Sequence, residues 1–272
     1  MLANDKVFAG SIPDIYDTYL VPLIFEAFAE DMATRVTAQP VRDVLETAAG
    51  SGVVTRALAP KLAADARLTV TDLNPPMLER AKARQGADAR ITWQPADALD
   101  LPFADQSFDA VCCQFGVMFF PDRVKGYAEA RRVLRPGGRF VFNVWDAIEY
   151  NGFADVVTRV ASTLLPAAPP QFLARTPHGH GQPQRIHEEL AEAGFAHVEI
   201  EKLTRDSTAP DPSHPAIAYC RGTPMFGELA PHGEAKVQRI IDAATEEIRA
   251  TYGLARSRRR SRVRRRGLVR WD

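Results

Sequence analysis

A doubly wound α/β fold with a mostly parallel sheet is predicted by three features of this 272-residue chain. From Val41 onward, short apolar runs alternate with helix-length segments, the pattern of repeated strand-helix-strand units. The first run empties into a loop of small residues, Thr47-Ala48-Ala49-Gly50-Ser51-Gly52, directly before a helix. Asp72 ends the second run, at the position where such folds carry an acidic residue for a ribose.

The elements follow in order. Residues 12–36 carry Tyr16, Tyr19, Leu20, Leu23, Ile24, Ala27 and Phe28 at helical spacing, and Pro22 is expected to divide them into two helices of an amphipathic lid. Strands are expected at 41–47, 67–72, 89–94, 108–114 and 139–145, with helices filling most intervals. The helix after Asp72 is the best marked: Asn74 suits the N-cap, Pro75 the first turn, and Gly86 a left-handed stop. After a helix at 122–134, the Arg135-Pro136-Gly137-Gly138 turn ends helical winding and releases a strand alternating about Phe140, Phe142 and Val144. A Pro- and His-containing stretch, 166–183, reads as an active-site cover. A helix near 184–193, a strand near 197–203 and a long helix at 233–251 follow, the last with Val237, Ile240, Ile241, Ala244 and Ile248 on one stripe. The organisation is a helical lid at 1–37, a cofactor-binding core at 38–147, and a cover segment, helix and sixth strand at 148–207. A helical insertion at 208–253 and an Arg-rich tail at 254–272 complete it.

Composition narrows the function. With 46% hydrophobic and 25% charged residues the chain sits in the ordinary globular range, which excludes disordered and fibrous classes. It opens without a cationic-then-apolar leader and has no apolar run long enough to span a bilayer, so a cytoplasmic protein is expected. Cys112, Cys113 and Cys220 lack metal-ligand spacing and read as buried thiols, and no metal site is expected. The net charge of zero hides an asymmetry: residues 255–272 hold nine of the 34 Lys+Arg and one of the 34 Asp+Glu, leaving 25 − 33 = −8 on the remainder. An acidic body gives no reason to expect a nucleic-acid substrate.

Small residues in the 47–52 loop allow a ligand to approach the backbone, and the Asp72 carboxylate can accept both hydroxyl protons of an adenosine ribose. A dinucleotide site would want a third glycine at position 55, where this chain has Thr; a pyrophosphate therefore fits poorly, and a cofactor without phosphate fits better.

Val44-Leu45-Glu46 with the 47–52 loop, Asp72-Leu73-Asn74, Ala96-Asp97-Ala98-Leu99-Asp100-Leu101-Pro102-Phe103, Ser107-Phe108-Asp109 and Leu134-Arg135-Pro136-Gly137-Gly138 together resemble the motif series of class I S-adenosylmethionine-dependent methyltransferases, on the branch that includes the ubiquinone and menaquinone biosynthesis enzymes. The resemblance implies a Rossmann-like core binding S-adenosylmethionine. Carried over by position, it implies that Glu46, Ala48, Gly50, Ser51 and Gly52 contact the methionine end, Asp72 holds the ribose, Leu73 packs on adenine, and Asp97 and Ala98 read the adenine edge. Gln114 and Phe115 would lie near the transferable methyl, and Tyr16 and Tyr19 are candidates for an N-terminal cover. Ala48 stands where that family usually has Gly; because Ala resists positive φ, an ordinary backbone conformation is expected there.

The expected activity is methyl transfer to a small hydrophobic or aromatic acceptor by in-line displacement, with Phe115, Phe119 and Phe120 near the site. Methyl transfer needs no obligatory enzyme nucleophile. His178, His180 and His187 are the available bases for an acceptor that must lose a proton, although a solvated loop histidine is the commoner case. The competing readings are an NAD(P)-dependent oxidoreductase, which Thr55 disfavours, and a non-catalytic cofactor-binding protein. The resemblance also implies a final antiparallel strand, for which the Arg-rich tail offers no apolar alternation, so that strand is expected to be missing. The abrupt change after Gly253 reads as out-of-frame translation, and the rival reading is a genuine basic tail that meets nucleic acid or an anionic membrane.

Overall fold

The computed structural model of the chain describes Asp5, Gly10, residues 12–253 and the backbone of residues 263–268. In the sheet, β1 (Asp43–Glu46) lies between β2 (Arg67–Asp72) and β4 (Phe108–Gln114), β3 (Ile91–Pro95) continues outward from β2, and β5 (Leu134–Trp145) from β4, every one of these pairings being parallel. With β6 (Glu199–Arg205) and β7 (Val263–Leu268) the order is β3-β2-β1-β4-β5-β7-β6. The chain therefore steps outward from β1 to β3 and then returns to the other side of β1. In open α/β sheets such a reversal, here at the carboxyl ends of β1 and β4, is where ligands bind.

The helices are α1 (Ile12–Ile15), α2 (Glu26–Val36), α3 (Val53–Leu58), α4 (Pro75–Gln85), α5 (Arg123–Val133), α6 (Gly152–Leu164), α7 (Phe172–Arg175), α8 (Pro183–Glu192), α9 (Ser213–Arg221), α10 (Met225–Leu229) and α11 (Glu234–Tyr252). They fall into two compact units. Among the described residues, one comprises 26–144, 181–202 and the backbone of 265–268; the other comprises Asp5, Gly10, 12–25, 145–180, 203–253 and the backbone of 263–264. In the sheet unit α2 packs on α3 and β4, and Val44, Leu68, Val70, Ala110 and Cys112 are fully enclosed. Strands buried on both faces read as continuous apolar runs, which is why β4 could be bounded at 108–114 from sequence. Tyr127 of α5 stacks on Phe142, whose neighbour Phe140 stacks on Phe195, closing the core beneath α5. The helical unit is organised around α11, whose buried stripe Val237, Ile240, Ile241, Ala244 and Ile248 meets α6 and α9. No helix of the described residues is long and apolar enough to cross a membrane.

Several expectations are corrected. Pro22 does not divide the N-terminal helix: the run from Ile12 to Val36 is unbroken, with Tyr16–Phe25 wound as a π-helix around the proline. A wider turn accommodates a residue that has no N–H to donate and whose ring crowds the preceding carbonyls. β5 begins at Leu134 rather than Arg139, pairing with Phe108 before an irregularity at the Pro136-Gly137-Gly138 excursion, where Gly137 has φ +75°. Asn74 occupies the N-cap of α4, yet its side chain makes no capping bond and turns to Asp72 instead. With Pro75 and Pro76 opening the helix, fewer orphan N–H groups need a cap. The final strand expected to be missing is present as backbone, β7 lying between β5 and β6 despite the absence of apolar alternation. The rest of the Arg-rich segment, and with it both readings of the tail, lies outside the described residues.

Candidate functional site

Four parallel strands end side by side, and each delivers part of one constellation. β1 ends in Glu46, whose carboxylate is buried and accepts a 2.6 Å hydrogen bond from Thr55 Oγ1 on α3. Burial pushes the Glu46 carboxyl up to about 7, with Thr55 and the nearby Arg56 opposing the rise and Asp72 adding to it. β2 ends in Asp72, which is 6% exposed and bridges two loops: Oδ2 accepts from the Gly50 amide at 2.8 Å, and Oδ1 from the Asn74 amide at 2.7 Å. Burial raises its carboxyl too, against those amide donors. Leu73 beside it is 44% exposed, a large apolar side chain left open next to a buried acid.

The loop between β1 and α3 is held in a demanding shape. Ala48 has φ +51°, Gly50 +57° and Gly52 +77°, so the expectation of an ordinary conformation at Ala48 is overturned. The conformation is imposed from both sides: Thr47 N donates to Cys112 O at 2.9 Å and Ala49 N to Thr71 O at 3.0 Å, leaving Ala48 no freedom to relax. Arg56 Nη1 grips Ser51 O at 2.7 Å from α3. Ser51 Oγ is buried and has no hydrogen-bond partner among the described residues.

β4 ends in Gln114 and leads to Phe115, another left-handed residue at φ +52°. Asn143 of β5 stabilises that turn, its Oδ1 and its backbone O both accepting from the Phe115 amide, at 2.9 and 3.2 Å. Phe115 meets Phe28 of α2 edge-on at 5.5 Å. Gly116 lies so close to Ala48 that an added Cβ would stand 2.5 Å from the Ala48 methyl. The segment after β3 joins through Ala96, whose amide donates to Asp72 O at 3.1 Å, and Asp97 follows in a tight turn with Oδ1 accepting from Leu99 N at 2.9 Å. Glu46, Ala48, Gly50, Ser51, Gly52, Asp72, Leu73, Asp97, Ala98, Gln114 and Phe115 thus share the carboxyl edge of one unit.

The remaining candidates lie elsewhere. Tyr16 stacks on Phe25 at 5.1 Å and Tyr19 meets His214 edge-on at 5.0 Å, both within the helical unit. His178 and His180 belong to that unit and are buried, not solvated. His178 Nδ1 faces the Asp146 carbonyl at 2.9 Å and burial pushes its imidazole down to about 4. His187 is exposed on α8, which packs on α5. Sequence reading missed Asn143, although a polar residue amid Phe140, Phe142 and Val144 marks it, and it read Thr55 only as an absent glycine.

The Methyltransferase domain family matches residues 45–142. A demethylmenaquinone methyltransferase of Clavibacter sepedonicus is 34% identical over 170 residues, 59% of this chain and 68% of that protein. One from Deinococcus radiodurans is 30% identical over 205 residues, 71% of this chain and 85% of that protein. Phosphoethanolamine N-methyltransferase 2 of Haemonchus contortus, solved with S-adenosyl-L-methionine, shares the fold at TM-score 0.61 and 15% identity, covering 100% of this chain and 61% of that one. The fold together with the family and its relatives defines a Rossmann-like methyltransferase. The chain belongs to the class I S-adenosylmethionine-dependent methyltransferase family, and S-adenosylmethionine is the cofactor of that family.

Proposed function

We propose that this methyltransferase acts on a small hydrophobic or aromatic acceptor, with the residues at the sheet's carboxyl edge dividing the cofactor among them. The observation that carries the reading is the ordered row of strand ends: buried Glu46, bridging Asp72 beside open Leu73, Asp97 with one carboxylate oxygen uncommitted to the Leu99 amide, then Gln114 and Phe115. The residues present fit the cofactor. A buried acid with a raised pKa suits an ammonium, and an uncovered leucine suits a purine face.

When bound, S-adenosylmethionine would supply a sulfonium methyl for transfer to the acceptor, with S-adenosylhomocysteine leaving as the neutral thioether. Glu46 anchors the methionine ammonium, and Thr55 fixes the orientation of its carboxylate. Asp72 accepts from the ribose hydroxyls with the lone pairs its amide donors leave over, while Leu73 packs against adenine. Asp97 Oδ2 accepts from the adenine amino group, and the Ala98 amide donates to a ring nitrogen. Gln114 and Phe115, held by Asn143, border the transferable methyl. The two curated relatives named for a demethylmenaquinone support an aromatic ring as acceptor.

Calorimetric titration with S-adenosylhomocysteine is expected to give saturable binding at about 1–100 μM, weakened by Asp72→Ala. Transfer of labelled methyl is then followed across a panel of quinols, phenols and small amines. Transfer confined to polar amines would overturn the acceptor class.

A further inference from the structure

The turn proposed to read adenine is not self-supporting. One end hangs from Asp72 O through the Ala96 amide, and the turn closes by the Asp100 amide donating to Asp97 O at 3.0 Å. The other end is gripped from α5. Glu129 Oε2 accepts from Leu101 N at 2.8 Å, and Arg132 Nη2 donates to Leu101 O at 2.9 Å, so both backbone groups of one residue are held. Arg132 Nη1 also reaches Phe103 O at 2.7 Å and Asp105 Oδ1 at 2.8 Å. Its Nε and Nη2 return to the two Glu129 oxygens at 2.7 and 2.8 Å, so every guanidinium N–H is used. Two backbone bonds dock the rest of the segment on the end of α5, Gln106 N to Arg132 O at 3.0 Å and Ser107 N to Val133 O at 2.8 Å. Packing completes the seat, with Leu101 buried and Phe103 edge-on to Phe108 at 5.2 Å.

An arginine that commits three donors to one loop and its other two to the carboxylate that holds the same loop is an unusual use of a planar fork, and a lysine cannot reproduce it. We propose that Glu129 and Arg132 are positioning residues for base recognition: from α5 they fix the Asp97-Ala98 turn in the register that distinguishes adenine from a 6-oxo purine. The inference rests on the proposed adenine contacts of Asp97 and Ala98. Adenine offers an amino donor at the position where hypoxanthine offers an oxygen. A carboxylate held there accepts from the first and repels the second, provided the turn cannot swing. Releasing Leu101 and Phe103 lets it swing, so discrimination falls even though neither α5 residue is assigned a contact with the cofactor.

The test measures dissociation constants for S-adenosylhomocysteine and its hypoxanthine analogue, S-inosylhomocysteine, on the full chain. The wild type is expected to prefer the adenine form by at least about tenfold, and Arg132→Lys and Arg132→Met to cut that ratio by roughly fivefold or more. Glu129→Gln, which keeps an acceptor for the Leu101 amide, is expected to cut it less; should the arginine variants fail to fold, this variant decides by whether the ratio moves at all. A role in stability alone would lower the thermal midpoint and leave the ratio where it was. Asp97→Ala separates the two levels of the argument. If Asp97→Ala collapses the ratio and the α5 variants do not, the positioning role is refuted; if Asp97→Ala leaves the ratio unchanged, the adenine reading fails and the inference with it.

Discussion

Replacing Glu46 by glutamine should make the protein more stable at alkaline pH and abolish one pH dependence of cofactor binding. The Glu46 carboxyl is raised from 4.5 to about 7, foremost by burial. That difference corresponds to about 3 kcal/mol disfavouring the charged form in the fold. Between those values the folded chain holds a proton that the unfolded chain has released, so this contribution to stability is present below pH 4.5 and is lost as pH rises through about 7. The charged groups that face it are Arg56 and Asp72, with the Thr55 hydroxyl bonded to it and the Cys112 and Cys113 thiols nearby. Glutamine keeps an oxygen to accept from Thr55 and never ionises. Stability from urea unfolding, taken as variant minus wild type, should therefore be about 3 kcal/mol more favourable to Glu46→Gln at about pH 8 than at about pH 5. An ammonium beside the carboxylate stabilises the ionised form, so affinity for S-adenosylhomocysteine should rise roughly tenfold per pH unit below 7 in the wild type and stay flat in the variant. Equal pH slopes in both proteins would refute the assignment of the raised pKa to Glu46. A stability difference without a binding difference would instead refute the ammonium contact.

Gly52→Ala places a methyl 2.8 Å from the Ala81 Cβ at a residue with φ +77°. A loss of about 2–4 kcal/mol is expected, read as a thermal shift together with weaker S-adenosylhomocysteine binding. Asn143→Leu removes the side-chain acceptor from the left-handed Phe115 amide, at a cost of about 1–3 kcal/mol; turnover should fall more than cofactor affinity, and equal losses in both would argue against a role on the acceptor side. His178→Gln tests the opposite sign of linkage. Its imidazole is lowered from 6.5 to about 4, foremost by burial, so the unfolded chain binds the extra proton and stability is lost as pH falls through that window. The variant should retain about 3 kcal/mol more of its neutral-pH stability at pH 4 than the wild type does. Because Glu46 and His178 act in opposite directions over nearly the same range, the wild-type profile is partly self-cancelling, and differences between variants are the quantities to measure.

Much of the scaffold was legible because its signals are local. β2 and β4 have the bounds their apolar runs prescribe, α4 starts at its prolines, and the stripe of α11 is the buried one. The family motifs brought the acidic strand ends and the small-residue loop into one reading. What escaped is non-local. Pro22 reads as a breaker in any window of sequence, and only the surrounding helix makes a π-helix the cheaper answer. β7 carries Arg264-Arg265-Arg266, which no alternation rule would call a strand, yet its backbone lies between β5 and β6. The Glu129–Arg132 grip joins residues roughly thirty positions from the loop they hold, and a charged pair three apart on a helix reads by itself as solvated surface.

Ala48 shows how a local rule fails at a site. Propensity alone sends Ala to negative φ, and the cost of the left-handed region, about 1–2 kcal/mol, is real. The rule omits the neighbours: flanking amides fixed to Cys112 and Thr71 set the path of the chain through position 48, whichever residue stands there. The methyl then needs room, and Gly116 provides it from the next strand end. Its missing Cβ would collide both with Ala48 and with Cys113 Sγ, 2.6 Å away. Ala48 and Gly116 are therefore one steric solution written at two distant positions. The glycine that backbone strain would ask for at 48 is found at 116, where the packing of two loops requires it.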